Sequence, residues 1–150
     1  MMARTHAAFG FLKGLILIPF FNPANQILFV ALAVFGSLFP DIDHPKAKLG
    51  SKIKIVGRLF EHRGFFHSIF ALFIFSLLTF FLLKQEVYFW AFGAGFFTHL
   101  ALDSFTRKGI TPFNPFSKFK LKGMVKTNGL VETSLFVVFI VLGILRLASF

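Results

Sequence analysis

Side chains that can do chemistry are concentrated in four short polar stretches of an otherwise apolar chain: Pro40 to Pro45, His62 to Ser68, His99 to Ser104 and Gly129 to Glu132. Together with Glu61, these stretches hold four of the five histidines and five of the six acidic residues. Imidazole and carboxylate groups are common protein ligands of divalent metals. The chain has no cysteine, which excludes disulfides, thiolate zinc sites and thiolate catalysis. The sequence therefore predicts a metal site built from His and carboxylate ligands.

The composition places this site in or at a membrane. The chain of 150 residues is 56% hydrophobic, contains 26 Phe and is only 15% charged, and its mean hydropathy is +0.77. That length fits a single membrane-embedded domain, residues 1–150.

The net charge of +10 is concentrated in two stretches, Lys46 to Arg63 and Arg107 to Lys126. Each lies between apolar runs, as cytoplasmic loops do under the positive-inside rule. This arrangement favours anionic phospholipid headgroups over nucleic acid as the partner. We therefore expect a multi-pass protein of the cytoplasmic membrane.

Apolar runs separated by turn residues predict an all-α, polytopic membrane bundle with four clear spanning helices and one short N-terminal membrane helix. Pro40 ends the second run, because proline cannot continue a helix and disfavours helical geometry in the residue before it. The predicted helices are Ala7 to Phe21, which is the short one, Ile27 to Phe39, Phe65 to Leu83, Val87 to Phe105 and Leu130 to Leu147.

With both basic stretches in the cytoplasm, the alternating direction of the helices brings the polar stretches to the cytoplasmic membrane face. His99 and Asp103 are four residues apart, so they project from the same helix face one turn apart and can share one ion. A catalytic zinc takes three protein ligands and a water. The predicted ligands are enough for two ions and at most three: His6, Asp41, Asp43, His44, His67, His99, Asp103 and Glu132.

The chemistry that this arrangement predicts is hydrolysis by metal-activated water. Zinc lowers the pKa of a bound water from about 15.7 to about 7, which makes hydroxide available at neutral pH. Asp43 or Glu61 then serves as the general base, and Arg63 and Ser68 hold the oxygens of a phosphate. At headgroup depth the expected substrate is a phosphoester in a lipid headgroup, with a soluble phosphoester or a nucleic acid as alternatives.

Two other functions are compatible with the same residues. One is a small transporter or channel that binds a cation or phosphate in transit. A transport pathway should have polar residues at the midplane and the far side of the membrane, whereas here they lie at one face. The other is a noncatalytic membrane scaffold with a structural metal. Asp41 and Asp43 also have a plainer interpretation, as residues that cap a helix end at the interface.

Five motifs in a fixed order make the chain resemble the YdjM-like family of bacterial and archaeal membrane proteins, which are described as membrane-bound metal-dependent hydrolases. The family is similar to the zinc-dependent phospholipase C and single-strand nuclease superfamily, whose helical enzymes hold clustered zinc ions with His and Asp. This chain departs from that superfamily in having fewer His and in being dominated by apolar helices. The motifs are Thr5-His6, Pro40 to His44, His62 to Ser68, His99 to Asp103 and Gly129 to Glu132. The ligands that the resemblance implies are His6, Asp41, His67, His99, Asp103 and Glu132.

Overall fold

The structure, a computed structural model, describes residues 1–43 and 64–150, and for Asp43 it describes the backbone alone. Over these residues the chain is all-helical, with five α-helices, two short 3-10 segments and no strand. The helices are α1 (Ala3–Phe21), α2 (Gln26–Leu38), α3 (Ile69–Leu83), α4 (Glu86–Ser104) and α5 (Leu130–Ala148), and the 3-10 segments are Phe39–Asp43 and Phe65–His67.

Local side-chain chemistry sets most of the helix ends. Asn22 closes α1 in the left-handed conformation, with φ 39°, and donates its backbone N–H to Ile18. The side chain of Asn25 then accepts a hydrogen bond of 2.9 Å from the Leu28 N–H and so caps the start of α2. The chain therefore reverses between α1 and α2 at these two asparagines.

Ser68 shortens the third helix. Its backbone is extended, and its hydroxyl oxygen accepts a 3.2 Å hydrogen bond from the Ala71 N–H. The chain predicted as one helix from Phe65 to Leu83 is for this reason a 3-10 turn, a capping serine and a 15-residue helix. His67 consequently lies in the 3-10 turn just before α3 and not inside the predicted helix.

The prediction of four clear spanning helices is not supported. Among the described helices only α5 is both long and apolar enough to cross a membrane, since a span needs about 20 residues. Helices α2 and α3 are apolar but have 13 and 15 residues. Helix α4 has 19 residues, but Glu86, His99 and Asp103 make it more polar.

Helix α4 is the central element of the bundle and contacts α1, α2 and α3, whereas α5 packs against α1. The approach of α2 to α4 is close enough to bring backbone against backbone. A Cβ on Gly95 would overlap the carbonyl oxygen of Ala33, and a Cβ on Gly36 would overlap that of Phe92. Small residues at a helix interface permit this contact, which fixes the position of α4 along α2.

The segment between α4 and α5 is irregular, as the sequence predicts. Isolated bridges pair Thr106 with Val125 and Ile110 with Leu121. The N–H of Ile69 donates to the carbonyl oxygen of Pro112 at 2.9 Å, which ties this segment to the start of α3. The basic segment is thus held beside the end of the bundle that carries His67.

Replacing Gly95 with Ala should lower the free energy of unfolding by about 1–3 kcal/mol, because the added methyl group meets a backbone carbonyl that cannot change rotamer. Gly143→Ala is the matched control, since the neighbour that its methyl group meets in the described part of the chain is the movable ring of Phe11, at 3.1 Å. Thermal unfolding in detergent measures both variants. Equal melting temperatures for the two would contradict the close packing of α2 on α4.

Candidate metal centre

Five of the predicted ligands meet at one end of the bundle. Helix α1 supplies His6, the 3-10 turn after α2 supplies Asp41, the 3-10 turn before α3 supplies His67, and α4 supplies His99 and Asp103. The three histidines and Asp103 are fully buried, whereas 23% of the Asp41 side chain is exposed. Four separate elements of the chain thus contribute to one cluster of imidazoles and carboxylates.

The carboxylate of Asp103 faces two sets of groups. Its Oδ1 lies 3.4 Å from Nε2 of His6 and also contacts the amino group of Met1. Its Oδ2 lies 3.9 Å from Nε2 of His67 and 3.9 Å from Nε2 of His99. This is the arrangement of a carboxylate that can bridge two ions.

The possible ligands form two groups, one of His6, His99 and Asp103 and the other of Asp41, His67 and His99. Oδ1 of Asp41 is 3.7 Å from Nε2 of His67 and 3.9 Å from Nε2 of His99, and the two histidine nitrogens are 3.3 Å apart. Ligand atoms 2.0–2.2 Å from a tetrahedral ion lie about 3.3–3.6 Å apart. The observed separations therefore match coordination to within a few tenths of an ångström.

The orientation of His99 is set by a backbone group. Its Nδ1 is 2.8 Å from the carbonyl oxygen of Ser37, and because a carbonyl only accepts, Nδ1 carries the proton. In the neutral ring Nε2 then carries the lone pair, and it lies 3.3 Å from Nε2 of His67 and 3.9 Å from the nearest oxygens of Asp41 and Asp103. A hydrogen bond of this kind on the other ring nitrogen is typical of metal-binding histidines.

His6 gives the clearest test of whether a metal fits. Its ring stacks on that of His99, with centroids 3.8 Å apart and planes at 13°. Although the ring is fully buried, neither nitrogen has a hydrogen-bond partner within the part of the chain that the structure describes. A buried polar group without a partner is costly, and a bound cation would supply the partner for Nε2.

Asp41 is the ligand nearest to solvent. Partial burial raises the pKa of its carboxyl, but the adjacent imidazole of His67 and the nearby His99 and His6 outweigh burial and hold the pKa below its ordinary value. Asp41 is therefore ionised at neutral pH, as a carboxylate ligand must be.

Glu132, also predicted as a ligand, lies outside both groups. Its Oε1 accepts hydrogen bonds from the Met2 N–H and, at 3.1 Å, from the Thr5 hydroxyl, and its Oε2 accepts from the Asn128 N–H. The buried carboxylate thereby ties the start of α1 to the start of α5. Thr5, one of its hydrogen-bond donors, directly precedes His6 in α1.

Ser68, predicted to hold a phosphate, is buried and caps α3, and its hydroxyl donates to the Phe65 carbonyl at 2.6 Å. The side chain of Asp43 and the residues His44, Glu61 and Arg63 lie outside the described residues. Their assigned roles stay predictions.

Two groups at this centre were not predicted. One is the carbonyl of Ser37, for which sequence gives no signal because every residue carries a carbonyl. The other is the Thr5 hydroxyl, which donates to Glu132 beside the cluster. Thr5 directly precedes His6 in the first sequence motif, and this adjacency could have indicated its role.

Replacing Glu132 with Ala should destabilise the protein without removing bound metal. Loss of a charged hydrogen-bond acceptor costs about 1.5–3 kcal/mol, whereas the two ligand groups contain no atom of Glu132. Melting temperature and metal content measured on one preparation check this, with His99→Ala as the variant expected to lose metal. A folded Glu132→Ala protein without metal would instead make Glu132 a ligand.

Comparison with known proteins identifies the chain's relatives. It is 33% identical over 145 residues to inner membrane protein YdjM of Escherichia coli K12, covering 86% of this chain and 74% of the relative, and the same holds for YdjM of Shigella flexneri. It is 32% identical over 117 residues to the uncharacterized protein YvsG of Bacillus subtilis 168, covering 72% and 71% of the two chains. No solved structure matches it. Residues 1–149 match the family described as YdjM inner membrane protein, and the chain belongs to that family.

Proposed function

We propose that this protein is a multi-pass membrane enzyme that hydrolyses a phosphoester, with a lipid headgroup as the substrate. The observation that carries the proposal is the convergence of three buried histidines and two aspartates at one end of an apolar bundle. Ionisable groups inside membrane helices are costly to bury and are usually functional.

The chemistry needs a divalent ion, for which zinc suits a set of imidazole and carboxylate ligands. When bound, such an ion would lower the pKa of a water to near 7 and so supply hydroxide. His67, His99 and Asp41 would hold one ion. His6 would hold a second, with Asp103 between the two.

Access supports catalysis at this centre. Asp103 is buried, whereas Asp41 is partly exposed, so the cluster opens to its surroundings on the Asp41 side. A catalytic metal site keeps one position for water or substrate. A substrate phosphate would therefore approach from this side. By their positions in the sequence beside Asp41 and His67, Asp43 and Glu61 are the proposed general bases and Arg63 the proposed phosphate ligand, whereas the Ser68 hydroxyl is engaged in capping α3.

The lipid substrate is inferred from the surroundings of the centre. The segment Arg107 to Lys126 follows α4 directly and carries six basic and no acidic residues. It would lie at the cytoplasmic surface and attract anionic headgroups, with α5 and the shorter helices crossing or entering the bilayer. A phospholipid would then reach the metal centre without leaving the membrane.

A noncatalytic scaffold with a structural metal is the second candidate. The observation that favours it is the full burial of four of the five clustered ligands, because structural metal sites are closed. Assays of metal content and of hydrolysis separate the two candidates.

Elemental analysis of the purified protein should find bound zinc, manganese or iron, and His99→Ala and Asp103→Ala should reduce it to background, since each removes a ligand atom at the centre. Ser104→Ala is the matched control on α4, because among the described residues its hydroxyl bonds the carbonyl of Ala101 alone, at 2.7 Å. If the wild type holds no more metal than Asp103→Ala, the metal centre is refuted.

Hydrolysis should be measured on anionic phospholipids in nanodiscs, with nucleotides and a generic aryl phosphodiester in parallel. We expect headgroup release by the wild type and by Ser104→Ala, and a loss of roughly a hundredfold or more in Asp103→Ala. A metal-loaded protein that cleaves none of these substrates would favour the scaffold. Cleavage of the soluble substrates alone would remove the lipid assignment.

A further inference from the structure

A second feature, separate from the metal centre, is an apolar groove between α1, α3 and α4 with a volume of about 340 Å³. Among the described residues that line it, Lys13 is the only charged one. The groove has the size of a small-ligand site. Its walls include Leu17, Leu72, Phe73, Phe89, Trp90 and Phe97.

None of the described residues that line this groove supplies a counter-charge to Lys13. It lies near the middle of the 19-residue helix α1 and is half-buried. Within residues 1–43 and 64–150 its side chain takes part in no ion pair, hydrogen bond or ring contact. An ammonium group among apolar side chains is unfavourable unless an anion pairs with it.

A lysine at the end of a membrane helix extends its ammonium into the headgroup region, but the position of Lys13 does not suit this role. At 1.5 Å per residue it lies about 15 Å from the start of α1 and about 12 Å from its end. Its side chain instead borders a groove walled by aromatic and aliphatic residues. Such a groove complements a ligand with one negative group and a hydrocarbon chain.

We propose that the groove binds the anion of a long-chain fatty acid, with the carboxylate on the Lys13 ammonium and the alkyl chain along the aromatic wall. Charge complementarity selects an anion, and the apolar wall holds the alkyl chain by van der Waals packing. The volume of about 340 Å³ suits one chain rather than the two chains and headgroup of a phospholipid.

This inference does not depend on the proposed hydrolysis. Lys13 and His6 are seven residues apart on α1, about 10 Å along the helix, and no metal-centre ligand lines the groove. Fatty-acid binding should therefore persist after the metal is removed with a chelator and in the His99→Ala variant.

The only tryptophan of the chain, Trp90, lines the groove and reports on its occupancy. We expect a brominated long-chain fatty acid to quench Trp90 fluorescence saturably in nanodiscs made of unbrominated lipid. Lys13→Leu should weaken this binding roughly tenfold or more, because it removes a charged hydrogen bond. Lys13→Arg should retain it.

Two controls make the result specific to the groove. A brominated long-chain alcohol has the same tail without the charge and should bind weakly and equally to the wild type and Lys13→Leu. Lys118→Leu removes an exposed lysine of the basic segment and should leave fatty-acid affinity unchanged.

The proposal is overturned if quenching by the fatty acid does not saturate, or if a folded Lys13→Leu protein, checked by circular dichroism, binds with wild-type affinity. Equal binding of the acid and the alcohol by the wild type would also overturn it. If Lys13→Leu does not fold, the comparison of acid with alcohol in the wild type and in Lys13→Arg decides.

Discussion

The carboxylate of Asp103 lies buried among apolar helices, and the rest of this end of the bundle is arranged around it. A buried charge is tolerated only when it is paired or coordinated. Three imidazoles and the Met1 amino group surround its two oxygens. A divalent cation would compensate Asp103 and Asp41 together and would also give His6 a partner. A bound cation would thus balance the charge of the carboxylates and allow the polar cluster to be buried in the apolar bundle.

The backbone contact between α2 and α4 brings these groups to the required positions. Because Gly95 allows α4 to approach the Ala33 carbonyl, the Ser37 carbonyl comes within hydrogen-bond reach of His99. The same helix pair carries Asp41 on the turn that follows α2. Packing of small residues between α2 and α4 therefore determines the tautomer of His99. It also determines the distance between His99 and the carboxylate of Asp41.

Much of the centre could be predicted from the sequence. The alternation of apolar helices placed His6, Asp41, His67, His99 and Asp103 together, and the family was recognised from the same motifs. The capping role of Ser68 was not predicted, because a serine at the start of an apolar run is equally consistent with a longer helix that includes it. The hydrogen bonds of Glu132 could not be foreseen, since they depend on where the N-terminal residues lie against α5. The four-span prediction relied on apolar length and did not account for the serine cap or for the polar residues of α4.

We propose a cation at His67, His99 and Asp41, with Asp103 between it and a second ion at His6. Anomalous diffraction at the absorption edge of the metal found in the purified protein tests it most directly. We expect an anomalous peak within about 2.0–2.2 Å of Nε2 of His67 and His99 and of an oxygen of Asp41, with a second peak between Asp103 and His6. Density without an anomalous peak at this cluster in a metal-loaded crystal, or a peak only elsewhere in the molecule, would contradict it.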